Sequence, residues 1–261
     1  MFTTTSADGT TIAYDLEGSG SPIVFVSGAF NDRHTLAPVA AELASSHTVV
    51  CYDRRGRGDS GDTAPYAVER EIEDLAAVLS VVGGSAAVFG FSSGANLGLL
   101  AASRSLAVSA LVLYEAPFAL SPDDRRADSD LPERLAALIA AGRRADAVTT
   151  FQLEGIGLPP EMVAGIRQSP FFPQLEAIAP TVVYDATLTA PPYDRPTPEM
   201  LAVKVPVLVL TGAETWPMLR RTAEALPGLL PDARYVAVPG GEDHTIPAEA
   251  TAAAVRDFLA R

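Results

Sequence analysis

The sequence predicts an α/β fold, a mostly parallel, doubly wound sheet with helices on both faces and a helical insertion between two of its strands. Three observations carry this reading. Short apolar runs alternate with longer segments of helical periodicity, the pattern of a parallel sheet whose crossovers are helices. The central runs are apolar throughout rather than alternating, as strands covered on both faces require. The alternation stops after Pro117 and resumes only beyond residue 195.

In chain order, the runs at 11–16 and 22–27 read as strands, 36–45 as a helix and 48–52 as a third strand. The segment 68–82 reads as an amphipathic helix. Val68, Ile72, Leu75, Val78 and Leu79 share one face at helical spacing, while Glu69, Arg70, Glu71, Glu73 and Asp74 take the other. A strand follows at 86–91, a small-residue helix at 93–104 and a strand at 107–114. After the insertion come a strand at 205–211, a helix at 215–226, a last strand at 234–238 and a closing helix at 247–261. The insertion opens on a charged segment at 121–126. It continues in helical pieces at 132–141, 145–154, 160–168 and 173–179, and closes on the proline-rich stretch 190–196. Inserted between strands of a parallel sheet, it is expected over their carboxyl ends, where such sheets bind ligands. The expected organisation is a core of 1–118 with 196–261 and a helical lid of 119–195.

At 261 residues the chain can bury a core large enough to need no metal or disulfide staple. A hydrophobic content of 48% with 20% charged residues is that of a globular domain. The net charge of −13 argues against nucleic acid or an anionic membrane as partner. The first residues have neither the basic start nor the apolar core of a secretory signal, and no run is long enough to span a bilayer, so a cytoplasmic location is expected. The single cysteine, Cys51, lies in an apolar run and reads as a small buried hydrophobe. No grouping of His, Cys or carboxylates has metal-ligand spacing, and no cofactor is expected. The arginine-rich run at 54–58 lacks the Lys-Ser/Thr of a phosphate loop. Oligomeric state is left open.

The chemistry concentrates at Gly90-Phe91-Ser92-Ser93-Gly94. An apolar run stops at a glycine, a serine stands between two glycines, and a helix of small residues begins at once. On such a strand-to-helix turn the serine hydroxyl is exposed and nearby backbone N–H groups point at whatever it attacks. A serine hydroxyl needs a base within reach. Of the three histidines, His47 opens a strand at the far end of the sheet and His34 starts a helix. His244 follows the last strand in a glycine-rich loop at the carboxyl edge, so His244 is the expected base.

Four segments together make the chain resemble the α/β-hydrolase family over nearly its whole length, apart from the insertion. Residues 23–29 look like its strand and oxyanion loop, 52–60 like its next turn, 90–94 like its nucleophile elbow, and 239–244 like its histidine loop. The resemblance implies Ser92 as nucleophile, His244 as base, and an oxyanion hole from the backbone N–H groups of Ser93 and Ala29, with Phe30 as an alternative. In this family the residue before the loop glycine is usually histidine; here it is Ser27. The triad acid also departs from the usual pattern, because Thr215 stands where an aspartate would fall. Two carboxylates are available. Glu115 ends the strand after the nucleophile helix, a position some branches such as certain haloalkane dehalogenases use, and a carboxylate there is costly unless paired. Glu214 is the alternative; Glu115 is preferred. Glu242 and Asp243 are expected to be solvated. Phe30, Phe91, Phe118, Phe151, Phe172 and Trp216 are the candidate walls of an apolar acyl pocket.

The expected activity is hydrolysis of a carboxylic ester, lactone or thioester of a small-to-medium apolar acyl substrate through an acyl-enzyme. The alternatives are a non-hydrolytic enzyme on the same scaffold, namely a perhydrolase, lyase, acyltransferase or cyclase of secondary metabolism, and a non-catalytic ligand receptor. Epoxide hydrolases and haloalkane dehalogenases need a carboxylate nucleophile where this chain has Ser92.

Overall fold

The computed structural model describes residues 1–260; Arg261, expected to end the last helix and the core, lies outside the described residues. Eight strands form one sheet in the order β1-β2-β4-β3-β5-β6-β7-β8. They are β1 (Phe2–Thr5), β2 (Thr11–Gly18), β3 (Ser21–Val26), β4 (His47–Tyr52), β5 (Ala86–Phe91), β6 (Val108–Tyr114), β7 (Val207–Gly212) and β8 (Ala233–Val238). Pairings β1·β2 and β2·β4 are antiparallel; all others are parallel. The strand β1 falls in the Thr-rich N-terminus, for which no strand was expected. It is a four-residue edge element, largely exposed, and so carries no apolar run to read.

The period-two alternation of strands divides the core in two. Val24, Val50, Val88, Leu111 and Val209 face a layer with α2 (Val68–Ser80) and α3 (Ser93–Ser103). Their neighbours Ile23, Phe25, Val49, Phe89, Val112 and Leu208 face α1 (Ala37–Leu43) and the C-terminal helix (Ala248–Leu259). Both faces are thereby covered, which is why the central strands are apolar throughout.

One face of α2 differs from its expected polarity. Glu71 and Asp74, expected on the solvent side, are 1% exposed. The cause is the arginine run at 54–58, which turns inward. Arg54 grips Glu71 through Nε and Nη2 at 2.6 and 2.7 Å, and Arg55 grips Asp74 in the same manner at 2.8 and 2.7 Å. A bidentate guanidinium is the partner that makes a buried carboxylate tolerable.

Between β6 and β7 the described chain contains no strand. It runs through α4 (Leu131–Ala140), α5 (Arg144–Thr150), a π-helical turn (Phe151–Ile156), α6 (Pro160–Arg167), α7 (Phe172–Ala177) and α8 (Val182–Thr189). The segment expected as one helix at 145–154 therefore changes hydrogen-bond period at Phe151. No helix was expected at α8, whose Val182, Val183, Thr187 and Thr189 are β-branched and poor helix formers; burial against α3 and α4 overrides that propensity. After this insertion come α9 (Pro198–Leu201), α10 (Pro217–Ala225) and the last helix, α11 (Ala248–Leu259). No helix among the described residues is long and apolar enough to cross a membrane.

Candidate active site

Strand β5 ends at Phe91, and Ser92 links it to α3 with φ 55° and ψ −125°. A non-glycine residue in this region stores about 1–3 kcal/mol of strain, so the surroundings must hold it. They do so with backbone bonds: Ser92 N–H donates to the Tyr114 carbonyl at 2.9 Å, and Ala95 N–H donates to the Ser92 carbonyl at 2.8 Å. Gly90 is required because a Cβ there would stand 2.5 Å from the Ala95 Cα. Ser93 opens α3, so its N–H is among the first-turn donors that have no partner inside the helix, at the positive end of the helix dipole.

At the end of β6, Glu115 is fully buried, in the left-handed region at φ 51°. Its Oε1 accepts from Gly212 N–H at 2.9 Å, and its Oε2 bonds His244 Nδ1. The His244 ring packs against two aromatic rings, with centroids 4.7 Å from Phe91 and 5.4 Å from Trp216. Trp216 is itself held by a bond from Nε1 to Asp243 at 3.3 Å. The loop carrying His244 is seated by Gly212, where a Cβ would come within 2.6 Å of the Gly241 Cα, and by Tyr114 Oη donating to the Thr245 carbonyl at 3.0 Å. With Nδ1 committed to the buried carboxylate, Nε2 is the ring nitrogen left for proton transfer.

Ser92 and His244 share the wall of one cavity of about 150 Å³. Ala29 and Ser93 line it too, as do Phe91, Phe151 and Trp216. Three other aromatic residues expected to line it lie elsewhere. Phe118 is fully buried in the α2–α3 core, and Phe172 packs with Val148 and Ala179 inside the insertion. Phe30 meets Phe151 edge-on at 5.8 Å and is not among the lining residues. The histidine's carboxylate partner is Glu115 and not Glu214, whose carboxylate lies against Glu242; the hydrogen bond between those two carboxyl groups, and then their like charge, pushes the Glu242 carboxyl upward. Glu242 and Asp243 are exposed. Thr215 is buried, with no hydrogen-bond partner for its hydroxyl among the described residues. Cys51 is buried, and that burial pushes its thiol up to about 12, far from a nucleophile's range.

A family model described as the alpha/beta hydrolase family matches residues 23–258, from β3 to the last helix. The chain belongs to the α/β-hydrolase family. Among solved structures, this hydrolase is 46% identical to an alpha/beta hydrolase from Sphaerobacter thermophilus DSM 20745, with a TM-score of 0.90 over 99% of this chain and 100% of that one. An enol-lactonase from Burkholderia xenovorans LB400 shares the fold at 24% identity and a TM-score of 0.71, covering 99% of this chain and 100% of the other. Among other relatives, an uncharacterized hydrolase, YraK, of Bacillus subtilis is 39% identical over 100 residues, which span 37% of each chain. The putative carbamate hydrolase RutD of Azorhizobium caulinodans is 33% identical over 88 residues, 33% of each chain. The matched segments thus span about a third of these two relatives' length.

Several lining residues of the hydrolase were not nominated from its sequence. Arg125, Arg126 and Asp194 bring charge to the cavity wall, with Arg126 paired to Asp194. The two arginines come from the charged stretch at 121–126 and Asp194 from the proline-rich stretch at 190–196, segments whose paired residues lie 68 positions apart and that no local pattern links. Asn31 also lines the cavity and braces the loop after β3, its Nδ2 donating to the Ala29 carbonyl at 2.7 Å. Nothing in the sequence singled it out.

Proposed function

We propose that this α/β-hydrolase is a cofactor-free serine hydrolase that cleaves an ester, lactone or thioester of a small-to-medium apolar acyl group. The observation that carries the reading is the buried Glu115 carboxylate bonded to His244 Nδ1, with that imidazole and the Ser92 turn on one cavity. A buried carboxylate in that position fixes the imidazole tautomer and stabilises imidazolium as it forms. Ser92 Oγ attacks the carbonyl carbon while its proton passes to His244 Nε2. The N–H groups of Ser93 and Ala29 receive the oxyanion, and His244 returns the proton to the leaving group. Water, deprotonated by the same imidazole, then releases the acid from the acyl-enzyme.

The helical insertion, residues 119–195, acts as the lid in this reading, its Phe151 and Ile156 closing the cavity from above. A space of about 150 Å³ resembles an engineered apolar cavity that takes up benzene, which favours short acyl chains. Ester-type chemistry is in keeping with the names of relatives, an enol-lactonase and a putative carbamate hydrolase among them. A fluorophosphonate probe tests the mechanism: it is expected to label the wild type and not Ser92→Ala. Turnover of p-nitrophenyl esters should fall from acetate and butyrate to octanoate. Equal labelling of Ser92→Ala would end the serine mechanism, and undiminished turnover of octanoate would end the size assignment.

A further inference from the structure

One lid carboxylate touches the supports of both halves of the oxyanion hole. Asp185, on α8, is fully buried. Its Oδ1 accepts from Ser93 Oγ at 2.7 Å and from Arg54 Nη1 at 2.8 Å; its Oδ2 accepts from Arg57 Nη2 at 2.6 Å. The two arginines run on to the oxyanion loop. Arg54 Nη1 donates to the Ser27 carbonyl at 3.2 Å, and Arg57 Nη1 donates to the Gly28 carbonyl.

The Gly28 carbonyl belongs to the same peptide unit as the Ala29 N–H. In a trans peptide the C=O and N–H point in opposite directions, so a guanidinium anchored on the carbonyl sets where the N–H aims. The same bond polarises the unit and makes its N–H a stronger donor. On the other side, the Ser93 side chain bonded to Asp185 pins the residue whose N–H is the second donor. Burial alone would raise the Asp185 carboxyl, but the charges of Arg57 and Arg54 outweigh it and hold the group below the ordinary carboxylate range. It is therefore an anion at neutral pH.

We propose that Asp185 is a positioning residue for catalysis: from the lid, it orients the Ser93 N–H directly and the Ala29 N–H through Arg57, so that the hole is formed only when α8 is docked. This rests on the serine-hydrolase reading above. The network meets the cavity at the hole residues Ser93 and Ala29 and makes no bond to its aromatic walls Phe91, Phe151 and Trp216, so its loss should weaken transition-state binding more than ground-state binding.

The test compares wild type, Asp185→Asn and Ser93→Ala on p-nitrophenyl butyrate. Binding of phenylboronic acid, which forms a tetrahedral adduct, is measured beside binding of butyrate, which does not. Loss of a whole hole donor costs about 100- to 1,000-fold in kcat, so its misalignment should cost about 10- to 100-fold, with KM unchanged. Phenylboronic acid should weaken in parallel with kcat, and butyrate should not. Ser93→Ala removes no charge and keeps both arginine pairs, so it decides the matter if Asp185→Asn does not fold. Either folded variant with wild-type kcat and wild-type boronate affinity overturns the proposal, as does a loss confined to KM. A wild type inert to both the ester and fluorophosphonate ends the serine reading and this inference together. An active wild type with unaltered variants ends this inference alone.

Discussion

At position 115 a carboxylate with no exposed surface meets two donors, a backbone N–H from the neighbouring strand end and an imidazole. Buried charge is tolerated only where such partners exist, and here both come from elements that also build the site. Replacing Glu115 by Gln keeps the shape and the Gly212 bond but removes the charge opposing imidazolium and disturbs the tautomer. Glu115→Gln is expected to lower kcat by about 1,000- to 10,000-fold, as loss of the triad acid does in serine proteases, with little change in KM. Glu214→Gln should leave kcat near wild type, because Glu214 lies against Glu242 instead. Ester hydrolysis by the two variants, side by side, decides between them. A larger loss in Glu214→Gln would reverse the assignment.

At the scale of elements, the site depends on how closely two backbones approach. The end of β7 and the loop after β8 meet at Gly212 and Gly241, where a Cβ on either would collide with the backbone of the other. That contact places His244 against the end of β6, since Gly212 also donates to Glu115. Gly212→Ala should push the loop outward. Overpacking of this kind costs about 1–3 kcal/mol of stability. The expected signature is a fall in kcat larger than that modest loss in melting temperature would explain, together with weaker fluorophosphonate labelling of Ser92. Wild-type labelling in Gly212→Ala would show that the close approach does not set the histidine's position.

For the whole molecule, the connection between insertion and core is ionic as well as apolar. Arg54 and Arg57 come from the core turn, Asp185 from the insertion, and all three are buried. Removing the charge from one side leaves two guanidinium groups short of a partner, which in buried pairs costs about 3–5 kcal/mol. Asp185→Asn should therefore be less stable than wild type at pH 7. The pH dependence follows from the depressed carboxyl. A group held low in the folded state contributes its stability in full above the ordinary carboxylate pKa, about 3.9, and loses it as pH falls towards its folded value. The melting-temperature gap between wild type and Asp185→Asn should be widest near neutrality and close below about pH 4. A gap constant down to pH 3 would exclude the carboxylate as its source.

How much was legible varies with the range of the interaction. Seven strands, the main helices of the core and the elbow at Ser92 were readable, because apolar periodicity and a glycine-flanked serine are local patterns. His244 was nominated by its loop, and Glu115, with Glu214 as alternative, by the strand-end position that the family resemblance implies and by the cost of a lone carboxylate there; the hydrogen bond between His244 and Glu115 exists only once β6 and the loop after β8 come together. The inward turn of Glu71 and Asp74 was not readable, since those residues fit a solvent face until Arg54 and Arg55 reach them. Helix α8 and its Asp185 escaped for the same reason: β-branched residues hide the helix, and the partners of the aspartate lie 92 to 131 positions away in the chain. By itself, the sequence determined the layered α/β scaffold and the serine on its turn, since both are set by neighbours a few residues apart. Only the tertiary structure decided which carboxylate holds the histidine, which aromatic residues line the cavity and what lies behind the loop at Gly28 and Ala29. Those outcomes depend on burial and charge pairing between distant segments, which have no period and leave no local pattern.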